Sequence, residues 1–375
     1  MVMTAELTKS KMIHHCVTTL DLKGGIQTYL KSLVGSQPTN VSRQIIYSLK
    51  HIDQSQFELL HIHDEWKLWE FRGECPAVFT LHNHSTYCPS GTKYLKLSGN
   101  CCDRSMSPLG CLLGHLIDGC GSRKPQKILK KFRDSYRDFN TLKQFNITAI
   151  TISSYSQHYL IKQGLPVDQV ALVHHGINSP ERSFAPLTQD IHREQRILFA
   201  GRIVPDKGLD WLLKALAQVN PNIHLDIAGE GWARPQLEAL IEQLGIRDRV
   251  TWHGWCDREK LDQLFQGCYA LVFPSLWPEP AGLVTLEAYA RFRPVIASAV
   301  GGIPDYVRDG ETGILIQLGA VKQLAAAITE LAESYNKARS MGEQGYAYFL
   351  EKFTMETHVR QLNEVYNQAI EGYRR

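Results

Sequence analysis

Two carboxylates, Glu279 and Glu287, stand eight residues apart in the stretch from 269 to 316. Glu279 lies between Pro278 and Pro280, where the backbone is stiff and pairs poorly. Glu287 falls about one turn into a helix that starts near Leu283, among Leu283, Leu286 and Ala290. Between the two, Gly282 and the first amides of that helix offer N–H donors at the positive end of the helix dipole, a place for an anion. Two hydroxyl-accepting carboxylates flanking an anion site suit a sugar nucleotide, with hydroxyls at both ends and a diphosphate between. Taken alone, the pair also fits a plainer reading, an acidic loop before a capped helix.

Other residues add to this chemistry. Arg202 and Lys207 sit five apart, after a strand-like run Arg196–Ala200 and before Gly208 and an amphipathic helix. A forked guanidinium and a compact ammonium are both suited to phosphate. Gly24-Gly25 makes a turn that opens a helix, so backbone amides can approach a ligand closely. It is not a G-x-G-x-x-G turn, which argues against a nicotinamide enzyme. Gly229 and Gly231 follow another strand and allow close approach to a nucleotide base. Ser275 is a further phosphate contact. His82 ends the strand Ala77–Leu81, at the carboxyl edge where α/β sheets place chemistry. His84 is the competing candidate, and His63 ends the preceding strand as a neighbour.

These residues need an open α/β scaffold to position them. Strand candidates recur at Met12–Thr18, Gln44–Leu49, Leu59–His63, Ala77–Leu81, Asn146–Ser153, Val170–Val173, Arg196–Ala200, Ala270–Phe273 and Pro294–Ser298, alternating with helices. With 375 residues the chain is long enough for two such domains. The expected division is 1–180, a linker at 181–195, a second domain at 196–350 and a C-terminal helix at 351–375 that packs back on the first. The net charge of +3 splits unevenly: residues 1–180 hold 20 Lys/Arg against 13 Asp/Glu, and the remainder 21 against 25. A nucleic-acid binder is usually more strongly basic. No apolar run reaches transmembrane length, and residues 1–11 lack a signal-peptide core. The nine cysteines therefore read as reduced thiols of a cytoplasmic protein.

The motif run carries a family resemblance. P-S-x-W-P-E-P-x-G-L-V-x-L-E-A-x-A, then P-V-I-A-S-x-V-G-G-I-P-D and D-G-E-T-G-I-L, resembles the retaining GT-B glycosyltransferases of family 4. Departures are Ala281, where that family usually has Phe, and Asp305, where Glu is common. His174-His175 stands where the family has Pro-Asn at the end of its first domain. The resemblance implies two Rossmann-like domains with parallel sheets facing a central cleft. It implies transfer of a sugar from a nucleotide-diphosphate donor to a glycan or lipid-linked acceptor, with no cofactor or metal required. G-R-x-x-x-x-K-G makes Arg202 and Lys207 the diphosphate clamp, helped by Gly24, Gly25, Gly282 and Leu283. T-x-H places His82 beside the reacting carbon; Glu279 holds the sugar and Glu287 the ribose. The alternatives are a non-catalytic sugar-nucleotide-binding protein, or an epimerase or phosphorylase of the same fold.

Two segments stand apart. The stretch 88–120 reads as a long loop with five cysteines, longer than a plain connection. Cys88, Cys101, Cys111 and Cys120 could supply a structural zinc site, although no C-x2-C knuckle supports it. The stretch 123–145 carries eight Lys/Arg and two Asp, with Ile128, Phe132, Tyr136 and Phe139 at helical spacing. It reads as a solvated surface helix, or as a basic patch touching an anionic membrane or acceptor. The expected location is thus cytoplasmic, with peripheral contact on the inner face of the membrane as the sharper version.

Overall fold

The computed structural model describes residues 11–16, 25–35, 41–46, 49, 53–63 and 65–374. The chain forms two compact units. One comprises residues 1–92, 103–174 and 355–375; the other comprises 93–102 and 175–354.

The first unit contains β1 (Lys11–Cys16), α1 (Gly25–Gly35), β2 (Val41–Ile46), β3 (Leu59–Ile62) and β4 (Ala77–Leu81). After a short antiparallel hairpin, β5 (Tyr94–Leu95) with β6 (Asn100–Cys101), come α2 (Pro108–Leu116) and α3 (Pro125–Gln144). Then follow β7 (Thr148–Thr151), α4 (Ser154–Lys162) and β8 (Val170–Leu172). The hairpin itself belongs to the second unit. The main sheet is parallel throughout in the order β2-β1-β3-β4-β7-β8. The C-terminal helix α13 (Met355–Arg374) is part of this unit. Its Val359, Leu362, Val365 and Tyr366 are buried in one apolar cluster with Ile13, Tyr29, Leu33, Leu59 and Val78.

The second unit runs α5 (Gln189–Arg193), β9 (Arg196–Ala200), α6 (Leu209–Leu216), β10 (His224–Ala228), α7 (Arg234–Leu244) and β11 (Val250–Gly254). It continues with α8 (Arg258–Gly267), β12 (Ala270–Phe273), α9 (Leu283–Tyr289), β13 (Val295–Ser298), α10 (Ile303–Tyr306) and β14 (Gly313–Ile316). Two long helices, α11 (Val321–Glu333) and α12 (Tyr335–Lys352), complete it. The parallel sheet has the order β11-β10-β9-β12-β13-β14. Central strands of a parallel sheet are covered on both faces, which is why A-L-V-F and V-I-A-S can be buried at every position. This is the doubly wound Rossmann order, and its direction reverses between β9 and β12. In the first unit the reversal falls between β1 and β3.

Three sequence expectations shift. The second strand lies at Val41–Ile46, earlier than the expected Gln44–Leu49. The stretch 88–120 holds a hairpin and a helix, because Ser107 caps α2 through its hydroxyl and Pro108 starts it. Residues 181–195 contain α5, capped by Thr188.

Candidate active site

Ligands of a doubly wound sheet gather outside the strand ends at the reversal point. In the second unit that point is flanked by the loop after β9, residues 201–208, and the loop after β12, residues 274–282. The two loops are stitched together through Asp206, whose carbonyl accepts from the amides of Leu276 at 2.9 Å and Trp277 at 3.2 Å. Gly208 permits this approach. Its φ is +69°, and a Cβ there would lie 2.0 Å from the Pro274 carbonyl oxygen.

Glu279 is the focus of this junction. Its side chain is almost fully buried, and its Oε1 accepts from Lys207 Nζ at 2.5 Å. Ser275 Oγ lies 2.8 Å from the same oxygen and also within 3.2 Å of the Asp206 carbonyl and 3.1 Å of the Trp277 carbonyl. Its one proton serves a single acceptor at a time. The Lys207 ammonium also lies 5.6 Å from the Phe273 ring centre and 5.7 Å from that of Trp277. The backbone of Glu279 is held as tightly: its carbonyl accepts from Gly302 N at 2.6 Å. At Gly301, with φ of +60°, a Cβ would sit 2.5 Å from that same carbonyl oxygen. Oε1 is therefore fixed by other side chains, whereas Oε2 accepts no hydrogen bond from a described residue. A carboxylate oriented in this way has one oxygen left to receive a ligand hydroxyl.

Arg202 stands exposed on the first of these loops, its side chain in no hydrogen bond or ion pair with a described residue. Gly282 is the N-cap of α9, and Leu283 its first residue. The hydroxyl of Thr285, in the first turn of α9, is buried with no hydrogen-bond partner among the described residues. Glu287 is half-buried one turn on, and its carboxylate likewise bonds to no described residue. Burial pushes its pKa above the usual carboxylate range; Arg291 opposes this shift and Asp262 adds to it. Arg291 reaches back to the Glu287 carbonyl at 2.7 Å and pairs with Asp262 on α8 at 2.5 Å, so the helix that bears Glu287 is anchored from behind.

In the first unit, His82 follows β4 as expected. Its Nε2 lies 3.1 Å from His63 Nδ1, and its ring meets Tyr29 edge-on at 5.5 Å. Burial, with the nearby charge of His358, pushes its pKa down to about 3, so the imidazole is neutral at ordinary pH. His358 donates from Nδ1 to the His174 carbonyl at 2.7 Å, and its Nε2 lies 2.9 Å from the Tyr29 hydroxyl. His84 is fully buried, with Nδ1 2.5 Å from Tyr87 Oη, as expected of a structural side chain.

The structure thus brings Lys207, Ser275 and Glu279 together, with Arg202, Gly282, Leu283 and Glu287 on the same two loops and the helix that follows. Several expectations take a different form. Ser275 serves Glu279 inside the protein. Gly229 and Gly231 are required by chain packing: a Cβ on Gly229, at φ of +140°, would lie 1.9 Å from the Gly201 carbonyl oxygen. One on Gly231 would lie 2.1 Å from that of Ile203. Gly24 falls outside the described residues, and Gly25 opens α1. Cys88, Cys111 and Cys120 belong to the first unit and Cys101 to the second. No group of three or more His, Cys, Asp or Glu among the described residues could hold a metal ion. Sequence reasoning missed the ion pair itself and the part played by Gly301-Gly302. The glycine pair was visible as a signal, but its target was not.

Two doubly wound α/β units, each with a parallel sheet, make up the GT-B fold. Sucrose-phosphate synthase from Thermosynechococcus elongatus superposes with a TM-score of 0.71 at 21% identity, over 96% of this chain and 100% of that one. Anabaena HepE in complex with UDP does so with the same score at 18% identity, over 96% and 100%. Residues 188–348 match the family described as glycosyl transferases group 1. A curated relative, the D-inositol 3-phosphate glycosyltransferase of Streptomyces scabiei, is 35% identical over 227 residues, which is 56% of this chain and 50% of the relative. The chain thus spans about half the length of that relative.

Proposed function

We propose that the protein is a retaining glycosyltransferase that moves a hexosyl group from a nucleotide-diphosphate sugar to a hydroxyl of a glycan or lipid-linked acceptor. The observation that carries this reading is Glu279. Its Oε1 is held by Lys207 and lies within reach of Ser275, its Oε2 is left to accept, and the exposed Arg202 stands on the adjoining loop. Glu279 grips sugar hydroxyls through Oε2, and Glu287 accepts from the ribose. Lys207 keeps two N–H donors beyond the one it gives to Glu279. With Arg202 it meets the diphosphate, whose charge grows as the glycosidic bond breaks toward an oxocarbenium-like state. His82, at the end of β4 in the first unit, is the remaining catalytic candidate; as a neutral imidazole it can donate or accept a hydrogen bond without carrying charge. A diphosphate oxygen takes the acceptor's proton, so the new bond forms on the face that the leaving group occupied.

The test is hydrolysis and transfer with a panel of nucleotide-diphosphate sugars, with the product anomer read by NMR before mutarotation. The expected result is turnover of one or a few donors with the anomeric configuration kept. Binding without turnover on every donor and acceptor tried would reassign the protein as a binding module. An inverted product would refute the retaining mechanism.

A further inference from the structure

The helix α2 is packed with its apolar stripe outward. Leu109, Leu112, Leu113, Leu116 and Ile117 follow the i, i+3, i+4, i+7, i+8 pattern of a single helical face, and all five are exposed, from 42% at Leu112 and Leu113 to 69% at Leu109. The opposite face turns inward with small or polar side chains: Cys111 is half-buried, and Gly114 and His115 are buried. Close packing explains the small residue. A Cβ on Gly114 would already lie 3.1 Å from Cys120 Sγ. His115 is tied from Nδ1 to the Ser122 carbonyl at 3.0 Å, which fixes the inward side. Burial of apolar surface normally turns such a stripe to the core; a contiguous exposed one marks an interaction surface.

Charge says what kind. The helix packs against α3. On α3 and just before it, Arg123, Lys124, Lys127 and Lys130 are exposed, and so is Leu129. None of these four cations makes an ion pair with a described acidic residue. The nearby acids are already engaged, Asp118 with Arg104 at 2.6 Å and Asp134 with Arg133 at 3.2 Å. Exposed leucines on one helix and unpaired cations on the helix packed against it match the chemistry of an anionic bilayer, with acyl chains beneath phosphates. A second copy of the chain fits less well. Four side chains of a nine-residue helix and one at its C-cap supply only part of the ~800 Å² per partner of a stable interface, and the basic side chains of α3 would repel their copies. Among the described residues, no helix is long and apolar enough to cross a membrane.

We propose that α2, with the basic N-terminal part of α3, is a docking surface for an anionic lipid bilayer. The leucines enter the boundary between headgroups and acyl chains, and the lysines and Arg123 meet the phosphates. The inference stands apart from the transferase reading, because vesicle binding needs no turnover.

The experiment is co-sedimentation of the full chain with phosphatidylcholine vesicles, and with vesicles containing roughly a third phosphatidylglycerol. The variants are Leu113→Ser/Leu116→Ser and Lys127→Gln/Lys130→Gln. Because all four positions are exposed, both variants are expected to melt like the parent chain. The parent should partition at least about tenfold better onto anionic vesicles, and about 0.5 M salt should reduce that preference. The serine pair should lower partitioning about tenfold or more on both vesicle types. The glutamine pair should abolish most of the anionic preference. Equal binding of the parent chain to both vesicle types would overturn the proposal, as would a serine pair that binds like the parent. So would self-association that the serine pair abolishes without any vesicle preference, which would assign the face to a second copy.

Discussion

Replacing Glu279 by Gln keeps the shape of the side chain and removes its charge. The partner left behind is Lys207, whose ammonium is 2.5 Å away and whose side chain is only 14% exposed. Breaking a buried ion pair from one side costs about 3–5 kcal/mol, because the surviving charge is stranded. Gln can still accept from Lys207 and Ser275 through its carbonyl oxygen, so the expected loss is about 2–3 kcal/mol. For a unit of this size that corresponds to roughly 5–10 °C in melting temperature. Glu279→Ala, which keeps no acceptor, should reach the upper figure. Lys207→Met/Glu279→Gln should recover part of the loss, giving a coupling of about 2 kcal/mol in a double-mutant cycle. Turnover of the donor should fall at least ~100-fold in Glu279→Gln. The assays are thermal melting in the absence of donor and initial rates at saturating donor. Additive stability losses would show that the two side chains do not act as a pair. Unchanged turnover in a folded Glu279→Gln protein would refute the role of Oε2 as acceptor for the sugar.

Three further outcomes are expected. Asp226 is buried and takes a forked pair from Arg196 at 2.6 and 2.7 Å and a bond from His253 at 2.7 Å. Burial pushes its pKa up, but these partners outweigh that and hold it below the usual carboxylate range. Its stabilisation is therefore complete above the unfolded value of about 3.9 and lost as pH falls through the lower folded value; Asp226→Asn should flatten the acid limb of urea-midpoint against pH. His82 has the opposite charge logic. The unfolded chain binds a proton below about 6.5 while the folded imidazole stays neutral, so stability should drop as pH falls from there toward 3. NMR should show no His82 titration between about pH 5 and 8. Gly229→Ala should cost about 3 kcal/mol or more, since a Cβ would collide with the Gly201 carbonyl at a φ unfavourable for alanine; a melting point within a degree or so of the parent would contradict this.

The second unit was largely legible from its sequence. Runs such as A-L-V-F and V-I-A-S read as buried parallel strands, and the prolines around Glu279 announced a loop followed by a helix. What stayed hidden depends on distance along the chain. Lys207 and Glu279 are 72 residues apart and meet only because β9 and β12 pair at the reversal point. The glycines at 229, 231 and 301 were visible as glycines, but each answers to a carbonyl on a remote loop, which no local pattern reveals. In α2 the leucine spacing is plainly helical, yet spacing defines a face without saying whether that face turns inward.

The packing of α13 into the first unit has a consequence for biosynthesis. Val359, Leu362, Val365 and Tyr366 leave the ribosome only after all of 175–354 has been made, yet they fill the same cluster as Ile13 and Leu33. The half that is translated first is thus the half completed last. Until α13 emerges, the apolar side chains that it covers in the folded unit lack that partner, a state in which exposed apolar surface favours misassembly.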